Sequence, residues 1–260
     1  MQLLSRPWGA MHIRIDGPEG APGLVFANSL GTDLRIWDRV VAALPGWRIG
    51  RFDKPGHGLS DLGATPGIDD MAEDAAALID HMGAGPVVFV GLSIGGLIGQ
   101  ALVARHPGKV RALVLSNTAA KIGTAEAWGD RIGKVQAGGI APLADGIMQM
   151  WFSPTFRATP ELAIWRNMLT RTDPQGYADA CRAIAAADYR TATAGLRLPA
   201  LAIGGGLDGS TPPALVAETA ALIPGAGFRL IEGAGHIPCV ESAPQFTAIL
   251  QDFLKGLPDE

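Results

Sequence analysis

The chain has 260 residues, 48% of them hydrophobic, which is enough to bury a large core and excludes an intrinsically disordered protein. A formal net charge of -4 and a charged fraction of 18% give no electrostatic footprint for nucleic acid. Two cysteines do not make a disulfide framework, residues 1–9 do not resemble a secretory signal, and no apolar run approaches membrane-spanning length. We therefore expect a cytoplasmic protein, a monomer or small homo-oligomer, with no nucleic-acid or membrane partner.

The first half of the chain alternates short apolar runs with amphipathic segments, a pattern typical of strands and helices in turn. It begins with two extended pieces, residues 2–8 and 11–16, which are compatible with an antiparallel pair. The alternation that follows predicts a parallel sheet with helices on both faces. The predicted strands are 23–28, 47–53, 86–91 and 110–115, and the predicted helices are 34–44, 69–82 and 94–105.

The alternation breaks between residues 120 and 190, where only helical stretches are evident. Within this segment, Asp173 before Pro174 is a typical helix start, with a capping side chain and a first-turn proline. The alternation then resumes with strands at 200–204 and 228–231 and helices at 212–223 and 244–255. We predict one α/β core domain, residues 1–119 and 191–260, with a helical cap, residues 120–190, inserted between the sixth and seventh strands.

The sharpest functional signal is Gly91-Leu92-Ser93-Ile94-Gly95-Gly96, which follows a predicted strand and opens a predicted helix. It fits the G-x-S-x-G nucleophile elbow of the α/β-hydrolase fold, including the structural context of that motif. Small neighbours at Gly91 and Gly95 let the backbone pass close by while the turn lifts the Ser93 hydroxyl to the sheet edge. An incidental serine in a glycine-rich turn is common for the bare pattern, but much less so with both flanks in place. We therefore predict Ser93 as a nucleophile.

A serine nucleophile needs a base, and the base needs an orienting group. His236 follows the last predicted strand, in Gly233-Ala234-Gly235-His236, and Asp208 follows the preceding strand. The resulting chain order of Ser, Asp and His is the one that this fold requires. Each residue alone would more often be a surface, packing or turn residue. Together they predict a catalytic triad of Ser93, Asp208 and His236.

The negative charge that develops during acyl transfer needs two backbone N–H donors. One should be Ile94, directly after the nucleophile, and the other should lie in the loop after the first parallel strand, where we choose Leu30. His57 is expected to brace the active-site backbone, and Cys239 to be a small packing residue. No metal-ligand spacing and no dinucleotide-binding glycine motif is evident, so we expect neither a metal nor a cofactor.

Several segments resemble the 3-oxoadipate enol-lactonases, over nearly the whole chain. The elbow, the Gly56-His57-Gly58 loop and the late histidine are shared by many α/β-hydrolases. More particular are NSLGTD at 28–33, where most relatives have His-Gly, and SNTAAKIGT at 116–124. The sequence departs from the family pattern at Lys54-Pro55, where we expect a Thr-Arg or Lys-Arg-like pair, and no fused decarboxylase domain is expected.

The resemblance implies an enzyme that opens 3-oxoadipate enol-lactone to 3-oxoadipate in the β-ketoadipate pathway of aromatic-compound degradation. Ser93 would attack the lactone carbonyl, and the N–H groups of Leu30 and Ile94 would hold the oxyanion. The ring would open with an enol as leaving group, and His236 would then activate water. No cofactor is implied, and the partner is a small-molecule lactone or ester substrate.

The implied lactone also carries a free carboxylate, which an apolar pocket binds poorly unless a cation pairs with it. Of the candidate cations in the predicted cap, we choose Arg131, with Trp128 three residues earlier on the same helix face as a pocket wall. Aromatic residues at helical spacing more often belong to a core. The candidates are Lys121, Arg131, Lys134, Arg166 and Arg171.

Two other functions remain open at this point. A broad carboxylesterase or cofactor-free perhydrolase would use the same triad, turn over neutral esters and not depend on a cation in the cap. A lactone-sensing hydrolase homologue with little turnover would belong to another functional class, and the intact elbow and triad argue against it. Enzymes of this fold with an aspartate nucleophile are disfavoured because Ser93 stands at the centre of the elbow.

Overall fold

An eight-stranded sheet is the centre of the structure, a computed structural model that describes residues 1–64 and 66–258. Its strands are β1 (Gln2–Arg6), β2 (Gly9–Asp16), β3 (Gly23–Ala27), β4 (Arg48–Phe52), β5 (Val87–Leu92), β6 (Val110–Ser116), β7 (Ala200–Gly205) and β8 (Gly227–Ile231). They lie in the order β1-β2-β4-β3-β5-β6-β7-β8. Strand β2 pairs antiparallel with β1 and β4, and all other neighbours are parallel. The antiparallel start and the parallel sheet predicted from the sequence are confirmed.

The middle strands are apolar throughout because other elements cover both of their faces. Every residue of β3, β5 and β7 is buried, whereas no residue of the edge strand β1 is fully buried. Parallel strands present their carboxyl ends at one edge of the sheet. The loops that follow β3, β5, β6, β7 and β8 therefore meet at that edge, which is where open α/β sheets bind ligands.

Helices connect the strands and flank the sheet. The first three are α1 (Asp38–Ala42), α2 (Ile68–Met82) and α3 (Ile94–Arg105). The last three are α10 (Pro213–Leu222), α11 (Pro238–Glu241) and α12 (Ala243–Lys255). In the described part of the chain, none of the helices is long and apolar enough to cross a lipid bilayer.

The segment predicted as a single helix over residues 34–44 is divided in the structure. It consists of a 3-10 turn, Leu34–Trp37, followed by the short helix α1. Asp33 is the reason for the tight start, because its side chain accepts the Arg35 N–H and also binds the Arg35 guanidinium. The local ion pair closes a turn of three residues rather than a regular helical turn.

A second group of helices lies entirely between β6 and β7. It comprises α4 (Ala125–Gly138), α5 (Ala144–Trp151), α6 (Pro154–Arg157), α7 (Leu162–Thr170), α8 (Pro174–Ala186) and α9 (Arg190–Ala194). Helix α4 packs along α8, whereas α9 packs on α3 and α10. The start of α8 is as predicted: Asp173 accepts the N–H groups of Gln175 and Gly176, and Pro174 lies in the first turn. We refer to α4–α8 as the inserted helices.

Candidate active site

Ser93 lies at the turn between β5 and α3, in a backbone conformation that non-glycine residues rarely adopt (φ 59°, ψ −119°). The turn is possible only because its neighbours lack side chains. A Cβ on Gly91 would collide with the Gly95 carbonyl, and a Cβ on Gly95 would collide with the Ala27 carbonyl of β3. The strained turn is held from β6, where Ser116 O accepts the Ser93 N–H at 3.0 Å. The turn therefore has the strand–turn–helix geometry that the G-x-S-x-G motif predicts.

Asp208 and His236 follow the ends of β7 and β8 and meet at the same edge of the sheet. His236 Nδ1 lies 2.9 Å from Asp208 Oδ2, and both side chains are buried. A proton on Nδ1 donates to the carboxylate and leaves Nε2 as an acceptor. The pair therefore has the arrangement of a base and its orienting group.

The Asp208 carboxylate is held by four further hydrogen bonds. Oδ1 accepts the N–H groups of Ser210 at 2.7 Å and Thr211 at 2.9 Å. Oδ2 accepts the Thr211 hydroxyl at 2.8 Å and the Asn117 amide at 2.9 Å. Burial by itself would raise the pKa of Asp208, but the charge of His236 and these hydrogen bonds together lower it below its ordinary value. The group is therefore a fixed carboxylate at neutral pH.

Asn117, directly after β6, ties the acid loop to the histidine loop. Its side-chain amide donates to Asp208 and also to the Gly235 carbonyl at 3.1 Å, next to His236. Its backbone has a positive φ of 47°, which asparagine tolerates better than most residues. Sequence analysis placed Asn117 in a family-specific segment and assigned it no role. The one sequence signal for such a role was its position, because Asn117 is a polar residue directly after a strand that neighbours the elbow strand.

His236 Nε2 faces the loop after β3. Its nearest hydroxyl is that of Ser29, at 3.5 Å, a distance at the outer limit of a hydrogen bond. Ser93 and His236 line one pocket, but within the described residues no hydrogen bond joins the Ser93 hydroxyl to His236. Catalytic hydrogen bonds often tighten only when substrate is bound, so this separation is compatible with a serine–histidine pair.

The two backbone donors chosen from the sequence are both without an acceptor among the described residues. Ile94 is the first residue of α3, so its N–H has no acceptor within the helix. The Leu30 N–H also makes no hydrogen bond to any described residue, and Leu30 lines the pocket with Ser93. By contrast, the Gly31 N–H is already bound to His57 Nε2 at 3.1 Å.

His57 is buried behind this loop and is neutral. Its Nε2 accepts the Gly31 N–H while its Nδ1 donates to the Pro55 carbonyl at 3.0 Å. Burial, with the nearby Lys54 charge, lowers the pKa of His57 to about 3. The expectation that His57 braces the active-site backbone is confirmed.

Lys54 is a fully buried cation next to the same loop. Its Nζ donates to the carbonyl oxygens of Asn28 at 3.1 Å and Ser29 at 2.9 Å. Burial lowers the pKa of Lys54 to about 7, although the carboxylates of Asp53 and Asp33 oppose the shift. Sequence analysis noted this position only as a departure from the family pattern.

The pocket that contains Ser93 has a volume of about 160 Å³, small compared with the ~300–1,000 Å³ typical of sites for drug-sized ligands. The sheet edge and the inserted segment each contribute one wall. The sheet-edge wall consists of Ser29, Leu30, Ser93, Gly209, Ser210 and His236. The wall from the inserted segment consists of Ile122, Gly123, Ala127, Trp128, Arg131, Met150, Trp151 and Tyr177. The pocket therefore suits a small substrate.

Arg131 is the cation of this pocket. Its guanidinium lies 5.2 Å from the ring centre of Trp128 and 3.8 Å from Met150 Sδ, and no described carboxylate pairs with it. The buried Tyr177 hydroxyl lies close enough to this guanidinium for the Arg131 charge to act on it, although no described residue makes a well-aligned hydrogen bond with it. Of the other candidate cations, Lys121 and Arg166 pair with Asp188 and Asp145, and none of the four lines this pocket.

Comparison with known proteins decides the family. Residues 22–138 match the family model described as the alpha/beta hydrolase fold. The chain is 33% identical to 3-oxoadipate enol-lactonase 1 of Acinetobacter baylyi, over 99% of this chain and 97% of that protein. It is 34% identical to 3-oxoadipate enol-lactonase 2 of the same organism, over 95% and 93%. The chain belongs to the 3-oxoadipate enol-lactonase family.

The structural comparison agrees with this family. A crystal structure of the enol-lactonase from Burkholderia xenovorans LB400 superposes with a TM-score of 0.91 at 40% identity, over 95% of this chain and 96% of that one. The α/β-hydrolase fold class and the family resemblance predicted from the sequence are therefore confirmed. As a member of the enol-lactonase family, the protein is a hydrolase of small-molecule esters or lactones.

In this member of the enol-lactonase family, the structure brings together most of the site residues that were predicted from the sequence. Two of the catalytic candidates, Asp208 and His236, are in direct contact, and the remaining site candidates line the same pocket or stand beside it. Asn117 and Lys54 were missed because their hydrogen-bond partners lie far away in the chain, where no local motif marks them. In the described part of the chain, no group of three or more His, Cys, Asp or Glu side chains is arranged to hold a metal.

Proposed function

We propose that the protein opens 3-oxoadipate enol-lactone to 3-oxoadipate, as a step of the β-ketoadipate pathway of aromatic-compound degradation, with Ser93, His236 and Asp208 as its triad. One observation carries the proposal. The small pocket holds a serine and a histidine on one wall and an unpaired guanidinium, Arg131, on the other. A lactone with a free carboxylate fits both walls, because its carbonyl can be attacked by the serine and its carboxylate can pair with the guanidinium.

Acylation follows from the orientation of His236. Because its Nδ1 donates to Asp208, its Nε2 takes the proton from the Ser93 hydroxyl as the oxygen attacks the lactone carbonyl. The oxyanion is stabilised by the N–H groups of Leu30 and Ile94. Collapse of the tetrahedral intermediate breaks the ring C–O bond, and the departing enol oxygen receives the proton from His236.

Deacylation repeats the same steps with water as the nucleophile. His236 removes a proton from the water, which attacks the acyl group on Ser93, and the serine then leaves with that proton. The enol product tautomerises to the ketone in solution. No step needs a cofactor, because the enol is already a good leaving group.

Arg131 supplies substrate recognition in this proposal. A charge-assisted hydrogen bond from a guanidinium to a carboxylate contributes about 1.5–3 kcal/mol. Residues 120–190 form the cap that carries this group, and residues 1–119 and 191–260 form the core that carries the triad. The two cysteines are buried free thiols, which suits a reducing compartment, and we place the reaction in the cytoplasm.

The decisive experiment follows the absorbance of 3-oxoadipate enol-lactone with the wild-type protein and with Ser93→Ala, with p-nitrophenyl acetate assayed in parallel. We expect rapid lactone turnover, slow ester turnover, and a loss of about 10⁶-fold in kcat for Ser93→Ala. Efficient ester cleavage with little lactone cleavage would instead identify a carboxylesterase or perhydrolase. Absence of turnover with both substrates would identify a lactone sensor.

A further inference from the structure

The Ser29–Leu30 peptide has all of its hydrogen bonds on one side. The Ser29 carbonyl accepts three of them, from Lys54 Nζ at 2.9 Å, from the Thr32 hydroxyl at 2.9 Å and from the Thr32 N–H at 3.3 Å. The N–H at the other end of the same peptide, that of Leu30, makes no hydrogen bond to a described residue and borders the pocket. The peptide is therefore anchored by its oxygen, and its N–H is left free at the pocket.

Lys54 is an unusual anchor because it is a buried charge bonded to neutral carbonyls. It makes no ion pair within 4 Å with any residue that the structure describes. The two nearby carboxylates are engaged elsewhere: Asp53 accepts hydrogen bonds from His12, Leu34 and Leu59, and Asp33 binds Arg35. Burying an unpaired ammonium is expensive, so a neutral donor or an apolar side chain would be the more stable choice at a purely structural position.

We propose that Lys54 is a positioning residue of the oxyanion hole, whose ammonium holds and polarises the Ser29–Leu30 peptide so that the Leu30 N–H is a stronger donor to the oxyanion. Hydrogen bonds in a chain strengthen one another, and a positive charge on the carbonyl side makes the N–H of the same peptide more acidic. The charge itself also favours the negative intermediate across the peptide. This inference rests on Ser93 acting as the nucleophile, as proposed above, but not on which acyl substrate is used.

The protonation state of Lys54 gives the proposal a pH dependence. Three groups face the ammonium: the carboxylates of Asp53 and Asp33, which favour the charged form, and the neutral His57. The His236–Asp208 pair lies on the far side of the loop, where Ser29 contacts His236. Because burial lowers the pKa of Lys54 to about 7, the charge is present below this pH and is lost above it. The oxyanion hole should therefore weaken as the pH rises through neutrality.

The test compares two donors to the same carbonyl oxygen. Lys54→Met removes the charged donor, and Thr32→Val removes the neutral hydroxyl donor with little change in volume and keeps the backbone N–H of residue 32. Both variants are assayed with p-nitrophenyl acetate from pH 6 to 9, and their affinity for a small alkylboronic acid is measured at pH 6.5. The tetrahedral boronate adduct on Ser93 carries the negative charge that the oxyanion hole binds, so its affinity reports on the hole without turnover.

We expect Lys54→Met to lower kcat by about 10- to 100-fold, less than the ~10²–10³-fold cost of deleting a donor outright. KM should stay within about twofold, boronate affinity should fall by the same factor as kcat, and the decline of kcat/KM above pH 7 should disappear. Thr32→Val should lose no more than about threefold and keep that decline. Equal losses in the two variants, or an unchanged alkaline decline in Lys54→Met, would overturn the proposal.

Two further measurements keep the test independent of other failures. If Lys54→Met does not fold, Lys54→Gln takes its place, because its amide can still donate to the carbonyl without a charge, and an unchanged kcat and boronate affinity in that variant would refute a role for the ammonium. If the enol-lactone is not turned over but Ser93-dependent ester cleavage is present, the substrate assignment fails and the comparison of Lys54 with Thr32 still stands. Ester cleavage that survives in Ser93→Ala would remove both proposals.

Discussion

At the scale of single residues, Arg131 differs from the other four candidate cations in lining the pocket of Ser93, and no described carboxylate pairs with it. Replacing Arg131 by methionine keeps an apolar stem beside Trp128 and removes the charge. We expect kcat/KM for the enol-lactone to fall by about 10- to 100-fold, the equivalent of roughly 1.5–3 kcal/mol, mainly through KM. Turnover of p-nitrophenyl acetate, which has no carboxylate, should stay within about twofold.

Arg166→Met is the matched control for this prediction. Arg166 lies on inserted helix α7, is partly exposed, and already forms an ion pair with Asp145 at 2.8 Å. Its replacement should leave both substrates unaffected, because an exposed ion pair contributes little. A loss for Arg131→Met that is equal with the lactone and the ester would contradict carboxylate recognition and indicate a general disturbance of the pocket.

At the scale of elements, the packing of α3 against β3 determines where Ser93 stands. Gly95, in the first turn of α3, lies so close to Ala27 that a methyl group would collide with the Ala27 carbonyl. Because this neighbour is backbone and cannot rotate away, we expect Gly95→Ala to lower the free energy of unfolding by about 1–3 kcal/mol or more. The displacement of α3 should also remove most of the activity. Urea unfolding and ester turnover measure the two effects.

Gly133→Ala tests whether the effect comes from the contact rather than from the substitution. Gly133 also lies within a helix, α4, but a Cβ there would meet no atom within 4 Å. Alanine is the better helix former, so this variant should gain roughly 0.5–1 kcal/mol and keep its activity. Similar losses of stability in the two variants would rule out the close approach of α3 to β3 as the cause.

The end of inserted helix α5 is joined to the histidine loop by several hydrogen bonds. The Trp151 carbonyl accepts the N–H groups of His236 at 2.7 Å and Ile237 at 3.3 Å. The Glu241 carboxylate accepts the N–H groups of Gly235 at 2.6 Å and Ser153 at 3.0 Å, and so connects the same two segments. The position of the base is therefore determined by the inserted helices as well as by the sheet.

At the scale of the whole molecule, Lys54 links stability to pH. Its pKa is about 7 in the folded protein, because of burial, and about 10.5 in an exposed lysine. Between these values the unfolded chain binds more protons than the folded protein, so this group makes the free energy of unfolding rise with pH from about 7 to 10.5. Lys54→Met removes the contribution, and the stability difference should therefore shift in favour of the wild type as the pH is raised.

Urea unfolding of both proteins at pH 7, 8 and 9 measures this shift. Lys134→Met serves as the control, since Lys134 is exposed on α4 and its environment changes little on unfolding. Its stability should follow that of the wild type across the same range. Parallel pH dependences for Lys54→Met and the wild type would show that the buried amine keeps its ordinary pKa.

Local patterns in the chain were sufficient to predict most of the strands and helices and the residues that belong to recognisable motifs. Apolar runs and amphipathic segments located the strands and most helices, because both signals lie within a few neighbouring residues. The prediction of a single helix over residues 34–44 was wrong in detail, because the Asp33–Arg35 ion pair closes a tighter turn there than helical periodicity indicates. Lys54 carried no such signal, since its partners Asn28 and Ser29 are 25 or 26 residues away in the chain.

The sequence by itself determined that this chain forms an α/β-hydrolase sheet with an elbow at Ser93, because strand period, helix period and glycine spacing are properties of adjacent residues. Only the tertiary structure decided which side chains meet. The contact of Asp208 with His236, the contact of buried Lys54 with the Ser29 carbonyl and the presence of Arg131 in the pocket of Ser93 depend on segments far apart in the chain. Such contacts are set by the packing of complete elements, which no local pattern records.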